Sequence, residues 1–590
     1  MAGITKEQRY RTLIDLGIAL SAERNHDRLM EMILAGAKSM TNSDGGTLYL
    51  MTEAQDGLRF EIMLNDTLSI AMGGTTGKPI PFPPLRLRDD QGNPNHKNVA
   101  SYCALSGTTV NIADAYDADK FDFSGTKAFD AKTGYRSKSF LTVPLKNHDG
   151  EVTGVLQLIN ARDGRGRVIG FGKEITPLIE ALSSQAAVAL DNARLIEAQK
   201  TLFKSFIQVI AGSIDAKSPY TGGHCNRVPV LNSMIAEAAC AATEGPFADF
   251  SLTDEEWYEM EVAGGLHDCG KVTTPEYIVD KATKLETIYN RIHEVRTRFE
   301  VLKRDAVIAH LEGIVAGEED VDVLKARLDE NLAKLDADFA FIAECNVGGE
   351  FMAPEKIDRL KAIAETKWTR TIDDLLGLSI DEMKRRDPNA PKPPVEESVL
   401  ADKDWHVIPH DAPPDMARFD AEGITTRPGV HKYNLGEVYN LSIGRGTLTA
   451  EDRYKIQEHI IQTIFMLKAL PFPKNLKRVP EWAGGHHEMM NGKGYPKGLM
   501  KEQMSPAARM MAIADIFEAL TACDRPYKKP KTLSEALKIM SFMVKDQHID
   551  TDLWELFLTS GVWKRYADDF LKPEQIDAVD ITQYLRKPAA

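Results

Sequence analysis

Between Pro177 and Gly212 the chain holds neither a proline nor a glycine. Thr176 before Pro177 is a helix-start signal, with threonine as N-cap and proline at the first helical position. The spacing predicts one helix over 176–212, about 35 residues and roughly 50 Å long. Leu178, Leu182, Val188 or Ala189, Leu195, Leu202 and Val209 approximate a seven-residue repeat along it. Such a seam predicts a parallel dimer helix. It separates two regions with different periodicity and passes a signal from the first to the second.

Residues 10–175 precede it. Apolar positions at Leu13, Leu16, Leu20, Leu29, Ile33 and Ala37 have helical spacing, and the polar run 23–27 breaks the pattern into two helices. Alternating segments at 46–51, 58–63, 139–144 and 152–159 predict strands, and Asn147-His148-Asp149-Gly150 predicts a hairpin turn. Two helices, strands, a loop-rich middle, two closing strands and a long exit helix form an α+β sensor pattern that resembles a GAF domain. The segment 129–145 resembles the GAF version found in cyclic-nucleotide phosphodiesterases. Asp119-Lys120-Phe121-Asp122 resembles that family's Asn-Lys-Phe-Asp motif with Asp in place of Asn. The resemblance implies either a small-molecule ligand or a dimerisation scaffold.

Past the long helix, rare residues cluster. Gly484-Gly485-His486-His487-Glu488-Met489-Met490-Asn491-Gly492-Lys493-Gly494-Tyr495-Pro496 places two imidazoles beside a carboxylate and then a glycine-broken turn. Adjacent histidines can serve two metal ions, or one ion and its surroundings. His267-Asp268 lies upstream with Gly270 and Lys271, and Asp515 lies downstream. HHE-x-x-N-G-x-G-Y-P together with HD-x-G-K resembles the HD-GYP family of metal-dependent phosphohydrolases, which hydrolyse cyclic di-GMP and in some members related cyclic dinucleotides. The resemblance covers roughly 205–285 and 436–560, within a catalytic domain whose two parts are expected at 205–285 and 436–585. It implies an all-α catalytic domain in two parts.

That resemblance implies a metal set of His224, His267, Asp268, His459, His486, His487 and Asp515. Nitrogen-rich mixed ligation favours iron or manganese, with zinc possible, over magnesium. Two ions are expected, because Tyr220 stands where three-metal relatives carry a carboxylate. Asp268 and Lys271 are the expected catalytic pair, Asp268 by bridging the metals and Lys271 by holding a phosphoryl oxygen. Lys271, Tyr495, Arg525 and Lys528 are the expected substrate contacts, and Glu488 is expected to orient a histidine or a water from outside the ligand ring. His293 competes with His459, but it falls within a coiled-coil repeat, and His459 has the family's spacing to His486. Ser218 replaces the family's aspartate and receives no role.

The family pattern is interrupted over 286–435. Leu285, Ile288, Ile292, Val295, Phe299 and Leu302, then Leu328, Leu332, Leu335, Phe339 and Ile342, step by three and four. With a turn near Ala316-Gly317 they predict an inserted antiparallel helical hairpin. Residues 387–430 are proline-rich and predict an extended segment.

Composition narrows the partners. A formal net charge of −15 over 590 residues excludes a protein that coats nucleic acid or binds membranes through basic residues. No run of about 18 apolar residues occurs, so no membrane span is expected. Six scattered cysteines without a C-x-x-C pair fit a reduced cytoplasm. The expectation is a cytoplasmic, homodimeric, GAF-regulated phosphodiesterase that opens cyclic di-GMP to linear pGpG and/or GMP. A catalytically silent cyclic-dinucleotide receptor, or a hydrolase of another nucleotide such as cyclic GMP-AMP, is the alternative.

Overall fold

Leu48 and Tyr49 are neighbours on one strand, yet they belong to different cores. That is the consequence of side chains alternating across a sheet, and it sets the layering of the first of two compact units, 1–203 and 204–590. The computed structural model describes residues 5–23, 25–217, 223–317, 319–349, 351–523 and 530–586.

The first unit is built on strands β1 (Ser43–Met51), β2 (Gly57–Asn65), β3 (Ile70–Gly73), β4 (Leu85–Arg86), β5 (Val110–Ile112), β6 (Phe140–Lys146), β7 (Val152–Arg162) and β8 (Val168–Ile169). Their order is β3-β2-β1-β7-β6-β5, all pairs antiparallel, with β4 on β2 and β8 on β7. On one face, Leu48, Leu156 and Leu158 meet Leu29, Ile33 and Leu34 of helix His26–Thr41, and Ile179 and Leu182 of helix Thr176–Lys217. On the other, Tyr49 and Val155 meet Ala100 and Cys103 of helix Val99–Ser106. The four predicted strands and the break at 23–27 are present. The short strands β3, β4, β5 and β8 were not predicted, being two to four residues each, too short to establish a period of two.

Helix Thr176–Lys217 is 42 residues long and runs past Gly212. Leu178 and Leu182 are buried, but Val188, Leu195, Leu202 and Val209 are 44, 53, 59 and 65% exposed. The seven-residue stripe therefore leaves the core and faces solvent over the second half of the helix.

The second unit is mainly helical. Helices Ile292–Ala316 and Val321–Val347 form the expected antiparallel hairpin, with Phe299 against Phe339 and Lys303 paired to Asp336. Its seam starts later than predicted. Ile288 is 90% exposed in a turn closed by a Glu286–Asn290 bridge, and the helix begins at Ile292. Among the described residues, the four strands of this unit all fall within 286–435, outside the two parts expected to be all-α. Lys367–Arg370 pairs with Val395–Ser398, and Val407–Ile408 with Tyr433–Asn434. The proline-rich stretch is thus partly ordered secondary structure rather than only extended chain, with a further helix at Met416–Ala421. Phe419 and Ile424 pack against Ile460, Ile461 and Phe465.

Candidate metal centre

Each predicted ligand among the described residues sits at or near a helix end or on one buried helix face. Thr253 and Glu256 form a capping box on helix Asp254–Leu266, and His267 is its C-cap with Asp268 next. Thr449 and Asp452 cap helix Ala450–Ala469, which buries His459 with Ile460, Thr463 and Ile464. Ser505 caps helix Pro506–Thr521 with Pro506 at its first position, and Asp515 lies on that helix beside buried Ala514. His224 begins helix His224–Cys240, and His486 and His487 follow Val479–Gly484.

These residues converge as two groups that share one carboxylate. His224, His267 and Asp268 form one, and Asp268, His459, His486 and His487 the other, with the ligand atoms of each within 4.8 Å of one another. Asp268 Oδ2 lies 3.3 Å from His224 Nε2 and 3.2 Å from His267 Nε2, while Oδ1 lies 3.3 Å from His459 Nε2. Asp515 Oδ1 is 3.2 Å from His224 Nε2 and 4.0 Å from His267 Nε2. His459 and His487 bring their Nε2 atoms to 3.1 Å. His293 is elsewhere, exposed beside Arg296.

The ring orientations follow from the other nitrogen. His267 donates Nδ1–H to the Gly264 carbonyl and His486 to that of Ala483, both at 2.7 Å, and His459 donates to that of Ile456. A carbonyl can only accept, so each ring carries its proton on Nδ1 and turns an Nε2 lone pair inward. His224 uses a side chain instead. Its Nδ1 bonds Glu518, whose other oxygen accepts from Arg227 Nε at 2.7 Å. Sequence reasoning missed Glu518 and Arg227. The available signal was the pair of three-residue spacings, His224 to Arg227 and Asp515 to Glu518, which put each pair on one helix face.

The residues fit divalent metal ions. Nε2 of His224, His267 and His486 and Oδ1 of Asp268 are buried without a hydrogen-bond partner among the described residues. Buried polar atoms are rarely left unpaired, and these four all belong to the two groups that share Asp268. Burial raises the Asp268 pKa, but Lys271 and the histidines outweigh it and hold the carboxyl well below its usual range. Burial drives His486 down to about 4 and His487 well below its ordinary value, leaving both neutral at pH 7. Neutral imidazoles and ionised carboxylates are the states that ligate metals.

Lys271 is half-buried with Nζ 2.5 Å from Asp268 Oδ2. Burial lowers its pKa, but Asp268 and Asp515 outweigh that and keep it charged. Tyr495 stacks on His487 at 4.8 Å between ring centroids. Glu488 faces backbone donors of the loop that follows it. Its two oxygens accept from the backbone N–H groups of Lys497 and Leu499, at 2.7 and 2.8 Å, so it braces the glycine-rich loop and orients no histidine. Thr425 and Thr426 reach the same loop, donating their backbone N–H groups to the Pro496 carbonyl at 2.9 and 3.0 Å. Arg525, Lys528, Ser218 and Tyr220 lie outside the described residues.

The chain carries two recognisable domains, a GAF domain over residues 25–190 and an HD domain over 421–553. His459, His486, His487 and Asp515 fall within the matched HD stretch, whereas His224, His267 and Asp268 come from outside it. Among curated proteins, the chain is similar to a 3′3′-cGAMP-specific phosphodiesterase of Vibrio cholerae, 34% identical over 116 residues, 20% of this chain and 26% of that protein. It is also similar to a cyclic di-GMP phosphodiesterase of Pseudomonas aeruginosa, 42% identical over 73 residues, 12% of this chain and 17% of that protein. The matches thus span about a quarter or less of these relatives' length. A solved GAF domain from an Acinetobacter phosphoenolpyruvate-protein phosphotransferase overlaps 34% of this chain and 99% of its own, at 14% identity and a TM-score of 0.24. Among the described residues, no helix is long and apolar enough to cross a membrane.

Proposed function

We propose that this chain is a metal-dependent phosphodiesterase that hydrolyses cyclic di-GMP to linear pGpG and/or GMP. The observation that carries it is the shared carboxylate, Asp268 Oδ2 facing His224 and His267 while Oδ1 faces His459. A carboxylate shared by two nitrogen-rich groups is a donor set that would suit two metal ions. His224, His267, Asp268 and Asp515 would hold one, and Asp268, His459, His486 and His487 the other, iron or manganese before zinc. When bound, such a pair supplies Lewis acidity at a phosphoryl oxygen and lowers the pKa of water toward neutrality.

The chain's own residues do the rest. Lys271 offers a fixed positive charge beside Asp268 for a non-bridging phosphate oxygen as charge builds there. Burial pushes the Tyr495 hydroxyl pKa up, so it stays a neutral donor next to His487, placed to meet a base or sugar. Arg525 and Lys528 are proposed to hold phosphate or guanine. Hydrolysis breaks one P–O3′ bond and forms one P–O bond to water, giving the linear dinucleotide, and a second cut gives GMP.

A second reading has its own support, because relatives are named for 3′3′-cGAMP. Full-length protein purified without oxygen, with its metal content measured, should be given both cyclic dinucleotides side by side. About two transition ions per chain and faster release of pGpG support cyclic di-GMP, and faster cyclic GMP-AMP opening would replace the substrate. Full metal without turnover would favour the receptor, and absence of metal would end the proposal.

The sensor half fits regulation. A cavity of about 660 Å3 in the GAF domain is lined by Thr47, Tyr49, Lys97, Asp122, Phe129 and Gln157 among others. That volume suits one small ligand, and Asp122 comes from the phosphodiesterase-like GAF motif. Homodimerisation through the exposed stripe of helix Thr176–Lys217 would carry its signal.

A further inference from the structure

A second cavity, of about 840 Å3, opens within the 204–590 unit. Its walls include Lys361, Asp402, Tyr439, Arg453, Tyr454 and Gln457. Lys361 comes from helix Pro354–Ala364 and Tyr439 from Glu437–Leu441, both packed in the insertion's core. Arg453, Tyr454 and Gln457 come from helix Ala450–Ala469. On that helix the three share one face, while His459 lies two positions beyond Gln457, about 200° round the axis. No ligand of the metal centre lines the cavity.

The wall chemistry is that of a site rather than of a packing gap. Lys361 and Arg453 are exposed and have no acidic partner among the described residues, and Arg453 makes a single bond to the Arg445 carbonyl at 3.0 Å. Arg427, also on the wall, is already paired with Asp420. The two acids here face a neutral residue. Asp402 accepts from the Tyr439 backbone N–H and Glu451 from the Tyr439 hydroxyl, each at 3.1 Å. Two unpaired cations, two aromatic rings and two carboxylates without cationic partners line one cavity of ligand size. Cations suit a phosphate, tyrosine faces a base, and carboxylates the hydroxyls of a ribose.

We propose that this cavity is an effector site for a nucleoside monophosphate, with the phosphate at Lys361 and Arg453 and the base against Tyr439 or Tyr454. A ligand there joins the insertion to the helix that carries His459. The site does not depend on the reaction proposed above.

The test is calorimetric titration of GMP into the metal-loaded full chain, compared with Lys361→Glu, Arg453→Glu and Asp268→Ala. Losing one charge-assisted phosphate contact weakens binding by about tenfold, so each charge reversal should shift Kd by that much or more. Asp268→Ala should leave it within about twofold, a difference inside the scatter of independent sites. Unchanged melting curves verify folding, and Lys361→Gln serves where a reversal disturbs it. No heat at millimolar GMP overturns the proposal. So does binding that survives both reversals, or binding lost only in Asp268→Ala, which would locate GMP at the metal centre. Equally tight binding of inorganic phosphate would overturn the nucleotide assignment.

Discussion

Glu518→Ala removes the acceptor for His224 Nδ1–H and the partner of Arg227 together. Burial raises the Glu518 pKa, but His224 and Arg227 outweigh it and keep the carboxylate ionised. Two consequences follow. Breaking a buried ion pair by deleting one member costs about 3–5 kcal/mol, and the Arg227 side chain, 20% exposed, places the expected loss near the low end. His224 also loses what fixes its tautomer and ring plane, and such outer carboxylates are worth about 10–100-fold in metal affinity. Glu518→Gln keeps an oxygen for Nδ1–H while removing the charge, so it should lie between wild type and alanine. The assay is competitive dialysis against a chelator with elemental analysis, beside denaturant unfolding of the metal-free protein. The apo measurement reads the combined loss of the Arg227 and His224 contacts, and the dialysis reads its consequence for metal affinity. Glu518→Ala that keeps full metal content and affinity within about twofold of wild type would refute the positioning role. His224 would then be held by Asp268 and Asp515 alone.

Three further outcomes are expected. Gly270→Ala should abolish metal binding, because a Cβ there would lie 1.9 Å from the His459 carbonyl oxygen and 2.6 Å from the Thr463 nitrogen; normal metal content with an unshifted melting curve would contradict this. Leu195→Glu with Leu202→Glu should convert a dimer to monomer in light scattering, as each buried leucine is worth about 1.5–3 kcal/mol; an unchanged mass would remove the helix stripe as the interface. Burial, together with Arg291, Lys403 and Arg298, depresses the His406 pKa to about 4 despite Glu437. The unfolded chain therefore binds this proton first, and stability falls as pH drops from about 6.5 to about 4, by at most about 1.4 kcal/mol per pH unit. His406→Gln should flatten that part of the stability curve, and parallel curves for the two proteins would show that His406 does not contribute.

What was legible in the sequence was whatever local chemistry dictates. Thr253, Thr449 and Ser505 are local caps, and each caps a helix that carries or delivers a ligand, whereas the ligand set itself was legible through the family resemblance. The illegible parts are those where partners are distant in the chain. Ile288 fits a three-four repeat as well as Ile292 does, and only the turn closed by Glu286 and Asn290 removes it from the seam. Glu488 adjoins two histidines and invites a role toward them, yet a loop closing back after Gly492 presents it with two N–H groups first. A carboxylate facing unpaired backbone donors is captured by them, since leaving those donors unmet in a buried turn is costly.

The same logic explains why Gly494 is a glycine. Its Cβ would fall 2.2 Å from the Met489 nitrogen and 2.4 Å from the Glu488 Cα, so the loop can fold over Glu488 only without a side chain there. The glycines, Glu488 and the Pro496 carbonyl held by Thr425 and Thr426 then form one continuous brace. That brace fixes Tyr495 against His487, and it is anchored from the Thr425–Thr426 segment rather than from the helices that carry the ligands. The Thr425–Thr426 segment is therefore structurally coupled to the metal centre through backbone hydrogen bonds, although it supplies none of the centre's ligands among the described residues. Thr425→Pro removes one of the two N–H donors to Pro496 without touching a ligand. It should loosen the Tyr495 stack and raise KM for a cyclic dinucleotide while metal content stays at the wild-type level. A fall in metal content with KM unchanged would instead place the influence of this segment on the ligand helices themselves.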